Sequence, residues 1–186
     1  MTDPRLRVLI PSREIQRRIR EMGEQISQDY PEGELYFVCI LKGACFFLTD
    51  LARAMRRNVS IEFMGISTYG KSQNSSGEVR VTKDLDTSLE GANVVIVEDI
   101  VDSGITLNYL VNLLGQRKPK SLRIATLIDK PERRERPVDV AYVGFRIPGG
   151  FVVGYGLDYA EKYRNLDDVC LLEGEGAEAT KAAEGA

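Results

Sequence analysis

Asn93-Val-Val-Ile-Val-Glu-Asp-Ile-Val-Asp-Ser-Gly-Ile-Thr-Leu107 joins an apolar run, a cluster of acids and the start of a helical pattern. Val94 to Val97 is a continuous apolar run, which predicts a strand buried on both faces, as in a parallel sheet covered by helices. Glu98 and Asp99 follow at the carboxyl end of that run, and Asp102 comes shortly after. Ser103-Gly104 then breaks the pattern, Thr106 adds a hydroxyl, and helical spacing starts at Leu107. Small hydroxyl residues and a glycine between a strand and a helix make an anion cradle. The N–H groups at a helix start point outward, and Gly104 lets the backbone come close to a phosphate. Carboxylates beside such a cradle would repel the anion unless a cation or hydroxyl groups stand between them. The stretch therefore implies a ligand with a phosphate and hydroxyls, together with Mg²⁺.

Bulk composition narrows the class. A chain of 186 residues suits one domain with one sizeable core, and 43% hydrophobic with 28% charged residues is ordinary for a globular protein. A net charge of −3 without a long basic run argues against nucleic acid as a partner. No apolar segment approaches the ~20 residues that span a bilayer, and Met1-Thr-Asp-Pro-Arg5 has no apolar region of the signal-peptide kind. A cytoplasmic protein with no membrane partner is expected. Cys39, Cys45 and Cys170 are odd in number and lie in apolar surroundings, which reads as buried free thiols in a reducing compartment. The chain has no histidine, so His-based triads, HExxH metal sites and imidazole acid–base chemistry are excluded. Any general base must be Asp, Glu, Lys or Tyr.

Outward from the central stretch, Pro11-Ser12 predicts a helix start with Ser12 as N-cap, and Ile15, Ile19, Met22 and Ile26 form one apolar stripe. Leu35 to Leu41 predicts a second buried strand running into Lys42-Gly43-Ala44, and Phe46, Phe47, Leu48, Leu51 and Met55 a core-facing helix. Asn58 to Ser67 alternates Val59, Ile61 and Phe63 inward against Ser60 and Glu62 outward. The polar stretch Thr68 to Gly77 reads as a mobile hairpin loop, either a connector or a lid, with Val79, Val81 and Leu85 on the returning strand. Leu107, Leu110, Val111 and Leu114 predict a helix ended near Gly115, Leu122 to Ile128 another buried strand, and Glu132 to Arg136 a solvated loop. Val138 to Phe145 and Phe151 to Asp158 read as strands separated by the turn Pro148-Gly149-Gly150. From Glu173 the Gly/Ala/Glu sequence cannot bury a core and reads as a disordered tail. Three βα units thus end in polar residues, and in open α/β sheets ligands bind outside the carboxyl ends of strands, so these segments are expected to meet at one site.

Residues 94–106 fill every position of the signature by which phosphoribosyltransferases bind 5-phosphoribosyl-1-pyrophosphate (PRPP), and the chain resembles that family. Further pieces look like its 6-oxopurine branch, the hypoxanthine and hypoxanthine-guanine phosphoribosyltransferases of bacterial type. They are Leu41-Lys42-Gly43, Ser67-Thr68-Tyr69-Gly70, Asp129-Lys130, Val143-Gly144-Phe145, Ile147-Pro148 and Phe151-Val-Val-Gly-Tyr-Gly-Leu-Asp-Tyr159. The resemblance spans about residues 8–172. It implies a type I phosphoribosyltransferase fold, an α/β architecture with a mainly parallel sheet flanked by helices and a small hood. The core would lie at about 35–137 and the hood at about 1–34 and 138–172, with 173–186 as the tail.

The resemblance also implies roles at the matching positions. Asp99 and the loop Asp102, Ser103, Gly104, Ile105 and Thr106 would bind PRPP, the loop at its 5′-phosphate. Glu98 and Asp99 would face the ribose hydroxyls directly or through Mg²⁺, with Asp158 as a ligand of a second Mg²⁺. Asp102 would be the general base near purine N7. Lys130 would bind the exocyclic O6, Phe151 would stack on the purine, and the Val152 backbone and Asp158 would border its edge. Leu41, Lys42, Gly43 and Arg164 would contact pyrophosphate, the Leu41–Lys42 peptide being cis, and Ser67, Thr68, Tyr69 and Gly70 would belong to a lid. Position 105 is Ile where some members carry lysine, which can alter PRPP affinity without removing a role. The implied partners are PRPP, a 6-oxopurine base and further copies of the chain in a homodimer or homotetramer. The alternative is a regulator of the same fold that senses PRPP or a nucleotide and binds nucleic acid. It would show a basic face, whereas this chain is acidic and its catalytic set complete. A phospho-acceptor receiver domain also has an acidic pair near a strand end but gives no reason for the loop from Asp102 to Thr106.

Overall fold

A computed structural model of the chain describes residues 5–68 and 79–174. The elements run in the order β1 (Leu6–Ile10), α1 (Ser12–Asp29), β2 (Leu35–Leu41), α2 (Ala44–Ala54), β3 (Ser60–Thr68), β4 (Val79–Lys83) and β5 (Asn93–Val101). There follow α3 (Ile105–Gly115), β6 (Ser121–Asp129), a 3-10 turn at Pro131–Arg133, β7 (Tyr142–Arg146), β8 (Val152–Val153) and β9 (Val169–Leu172). Six strands form the main sheet in the order β4-β3-β2-β5-β6-β7, with β4 the antiparallel edge and the rest parallel. The fold is α/β with a mainly parallel sheet, as expected.

The continuous apolar runs now have a cause. Phe37, Cys39, Val95, Val97, Ala125 and Leu127 point to the face covered by α1 and α2, while Val38, Ile40, Val94, Ile96 and Ile124 point to the face covered by α3. Both sides of β2 and β5 are dry, so every second residue cannot be polar. Val94 to Val97 have no exposed surface, and at ~25 cal/mol per Å2 each contributes roughly 1.5–3 kcal/mol.

The segments assigned to core and hood divide between two sheets. β1, β9 and β8 form a separate antiparallel three-stranded sheet, whereas α1 packs on α2 and β7, and β7 extends the main sheet.

Several local expectations give way to tertiary context. Helix α1 starts at Ser12, but no side chain caps it from the Pro11 position; the Ser12 N–H donates to Asp168 Oδ1 at 2.6 Å, so the cap comes from the far end of the chain. On β3, Ile61 is 42% exposed and Glu62 is buried, the reverse of the predicted faces. Leu85 and Leu89 cover the Glu62–Met64 side, and Glu62 accepts the Asp86 N–H there, while Val59 and Phe63 pack only partly against the core. Phe46 lies off the stripe of Phe47, Leu48 and Leu51 and is 40% exposed. Strand β7 begins only at Tyr142, because Val138 and Val140 pack on the α3-side core before pairing with β6 starts. The predicted strand over 151–158 stops after Val153: Gly154 and Gly156, at φ +95° and +96°, turn the chain. Glu173 still belongs to the fold, donating its N–H to the Arg5 carbonyl (2.9 Å) and pairing with Arg7; residues 175–186 lie outside the described residues.

The order of strands places the site. From β2 the chain moves through α2 to β3 on one side, whereas β5 pairs with the other side of β2 and leads through α3 to β6. The crevice between the carboxyl ends of β2 and β5 is therefore the topological switch point, where such sheets bind ligands.

Candidate active site

Strand β5 is longer than its apolar run. Its pairing with β2 ends at Val97 opposite Cys39, but pairing with β6 continues through Glu98–Thr126 and Ile100–Ile128 to Val101–Asp129. Glu98 and Asp99 thus stand on a strand, not past its end, at the point where β2 departs. Successive strand residues face opposite ways. Glu98 borders a cavity of about 250 Å3 that is also lined by Ile66, Asp102, Ser103, Gly104 and Thr106. Asp99 packs on the other side, where a Cβ on Gly43 would run into its carboxylate. The Ile100 N–H donates to Asp99 at 2.8 Å. Burial and the adjacent Asp99 push the Glu98 carboxyl well above its ordinary value, and burial raises Asp99 to about 6.

The loop Asp102–Gly104 leads into α3, which begins at Ile105, two residues before the first periodic leucine. Gly104 has φ +80°, and the space it leaves is taken by the Arg136 carbonyl. Backbone packing on the protein side thus adds its own requirement for glycine here. Ser103 Oγ accepts the Ile105 N–H at 3.4 Å. Asp102 accepts from Arg133 Nε at 2.9 Å and lies 3.5 Å from Lys130 Nζ.

Lys130 is buried and donates to the Gly150 carbonyl at 2.9 Å. Burial lowers its pKa. An ammonium has three N–H donors; Gly150 and Asp102 occupy two, which leaves one for a ligand oxygen. Next to Gly150, Phe151 is 38% exposed and meets Tyr159 edge-on at 5.5 Å. Val152 is buried in β8, paired with Leu171.

On the β2 side, the Leu41–Lys42 peptide is cis, as the resemblance implied. Gly43 and Gly156 lie against each other: the Gly43 carbonyl takes the space a Cβ on Gly156 would need. Lys42 Nζ pairs with Glu161 at 3.2 Å. Arg164 reaches the same Glu161 at 3.4 Å, pairs with Asp158 at 2.7 Å and donates to the Gly156 carbonyl at 2.8 Å. Ser67 and Thr68 end β3, opposite Arg80 and Val79 of β4; Tyr69 and Gly70 lie outside the described residues.

The residues suit a hard divalent cation. Glu98 Oε2 is buried at the edge of the cavity with no hydrogen-bond partner among the described residues. Among the described residues no group of three acid, cysteine or histidine side chains is preassembled as a metal site. Mg²⁺ needs none, since it binds through one or two carboxylates, substrate oxygens and water. Asp158 is already engaged by Arg164 and by the Glu161 N–H.

Sequence reasoning missed Glu161, Arg133 and Arg134. Glu161 carries no local signal. The arginines lay in a run read as solvated, yet Arg133 holds Asp102 and Arg134 pairs with buried Asp129. An acid ending a buried strand with arginines close behind was the available hint.

Comparisons with known proteins give the family. Residues 11–160 match the phosphoribosyl transferase domain family. The chain is 49% identical over 172 residues to a hypoxanthine-guanine phosphoribosyltransferase from Mycobacterium avium, covering 89% of this chain and 85% of that one. It is 47% identical over 167 residues to the Bacillus subtilis enzyme of the same name, covering 90% and 93%. A solved hypoxanthine phosphoribosyltransferase from Staphylococcus aureus superposes with a TM-score of 0.87 at 45% identity, covering 91% of this chain and 92% of that one.

Proposed function

The chain belongs to the phosphoribosyl transferase domain family, and from that premise we propose a purine-salvage enzyme that moves the 5-phosphoribosyl group of PRPP onto hypoxanthine, guanine or both. The products are IMP or GMP and pyrophosphate. One geometric fact supports this most: Lys130 Nζ lies 3.5 Å from Asp102 and 2.9 Å from the Gly150 carbonyl. That single ammonium joins the acidic loop after β5, the end of β6 and the segment carrying Phe151.

In the reaction, purine N9 bonds to C1′ as the C1′–O bond breaks, and pyrophosphate leaves with the electron pair. Asp102 takes the N7 proton: in a chain without histidine, this part-exposed carboxylate beside Lys130 supplies the base. Lys130 donates its third N–H to the exocyclic oxygen, which an amino group at that position could not accept, and Phe151 covers the ring. The loop from Asp102 to Thr106 holds the 5′-phosphate. Pyrophosphate replaces Glu161 as the partner of Lys42 and Arg164, so the charge of the leaving group meets cations already gathered. Mg²⁺ held by Glu98 on the cavity side, and a second Mg²⁺ held by Asp99 and Asp158 on the Gly43 side once Arg164 turns to pyrophosphate, would add positive charge at the ribose hydroxyls and leaving group. Residues 67–70 belong to the lid that keeps water from C1′, and β1, β8 and β9 to the hood beside the purine. A homodimer or homotetramer in the cytoplasm completes the reading. The described residues contain no helix long and apolar enough to cross a membrane. The regulator alternative has no support among the named relatives.

A spectrophotometric assay with PRPP and Mg²⁺ against hypoxanthine, guanine, xanthine and adenine tests this directly. Turnover of oxopurines but not adenine is expected; PRPP binding without turnover of any base would sink the transferase reading.

A further inference from the structure

Residues 130–136 form a strap beneath the phosphate loop. Three successive carbonyls, from the last residue of β5 into that loop, accept bonds from it. The Val101 carbonyl takes the Lys130 N–H at 2.9 Å, the Asp102 carbonyl takes Arg134 Nη1, and the Ser103 carbonyl takes the Glu135 and Arg136 N–H groups at 2.9 and 3.0 Å. A trans peptide points its N–H opposite its carbonyl. The three bonds therefore turn the N–H groups of Asp102, Ser103 and Gly104 away from the strap. The cavity lined by Asp102, Ser103, Gly104 and Thr106 has no strap residue in its wall, so it opens on that other side.

Two of these carbonyls are held by strap backbone. The middle one depends on a side chain alone. Arg134 is itself fixed: its other Nη pairs with Asp129, a buried carboxylate that Arg146 Nε also approaches at 3.5 Å. The planar guanidinium spans the two acceptors with one rigid fork, which a lysine ammonium on a flexible stem does not reproduce.

We propose that Arg134 is the positioning residue of the 5′-phosphate cradle: anchored on Asp129, it turns the Asp102–Ser103 peptide so that the Ser103 N–H faces the phosphate. It thereby ties the loop carrying Lys130 to the loop carrying Asp102 without touching substrate. The kinetic part of its test rests on the proposed transfer; the binding part does not.

The test compares the full chain with Arg134→Lys and with the double variant Arg134→Gln/Asp129→Asn, which leaves neither charge buried alone. Ribose 5-phosphate binding is measured by titration calorimetry, alongside KM for PRPP, KM for the purine and the melting midpoint. Arg134→Lys is expected to melt close to wild type yet bind ribose 5-phosphate about fivefold more weakly, the value of one well-placed hydrogen bond. KM for PRPP should rise in parallel while KM for the purine stays put. Should the double variant fail to fold, the lysine variant decides alone. Unchanged ribose 5-phosphate affinity in a folded variant overturns the proposal, as does equal weakening of purine and PRPP, which marks a merely structural role. No ribose 5-phosphate binding by the wild type removes the cradle itself. Binding by the wild type without transfer to any purine would instead count against the proposed reaction, and the calorimetric arm would still decide the role of Arg134.

Discussion

Asp102 stands between Arg133 at 2.9 Å and Lys130 at 3.5 Å, yet 41% of its side chain stays exposed. It is accessible to a ligand and flanked by cations that the ligand can displace. Asp102→Asn keeps the size and the loop contacts but cannot take a proton, so turnover should fall by about 10²–10⁴-fold with KM for PRPP changed only a few-fold; steady-state kinetics with both substrates varied checks it. Asp99 supports a prediction in pH. Its carboxyl titrates near 3.8 when free and at about 6 in the fold, because burial disfavours the charge. A raised pKa means stability that is fully present below the unfolded value and lost as pH rises through the folded one. Metal-free protein should therefore lose on the order of 2–3 kcal/mol from this group between about pH 4 and pH 6. Melting curves of Asp99→Asn should lack that part of the slope; equal slopes would contradict the assignment.

At the scale of elements, the site depends on strands that end at different heights. β5 pairs with β2 only as far as Val97, and from Glu98 to Val101 only β6 pairs with it. Two carboxylates are thereby held in regular backbone at the mouth of a crevice rather than on a loose loop. Helix α1 shows the same dependence on distant parts. Its first turn is capped through the Ser12 N–H by Asp168, just before β9. Asp168→Ala should cost about 1 kcal/mol, whereas Ser12→Ala should change stability by no more than about 0.5 kcal/mol. Chemical denaturation of the two variants separates a remote cap from a local one.

For the whole molecule, the segment beyond β8 meets the main sheet through paired glycines. Gly156, at φ +96°, leaves room for the Gly43 carbonyl, and Gly43 leaves room for Asp99. Two segments far apart in sequence approach at backbone distance, which brings Arg164 and Asp158 to Asp99. Gly156→Ala should cost about 2–4 kcal/mol through both the backbone conformation and the collision, and activity should fall with it. Gly149→Ala, whose Cβ would meet nothing within 4 Å, should leave melting and turnover unchanged.

The sequence alone determined that a doubly buried strand carries an acidic pair and a Ser-Gly break into a helix. Those features are local: β-branched runs, a glycine break and the spacing of Asp102, Ser103 and Thr106 act within a few residues. It also pointed to one site at the carboxyl ends of the strands, since polar residues gather there, whereas the strand order that makes the crevice a switch point came from the fold. Only the tertiary structure decided which face of β3 is dry, what caps α1, and why Gly104 must be glycine. It also turned Arg133 and Arg134 from a solvated run into partners of Asp102 and Asp129. Each of these depends on a neighbour from another part of the chain, and covering one face, lending one carboxylate or filling the space beside one Cα leaves no periodicity in the sequence.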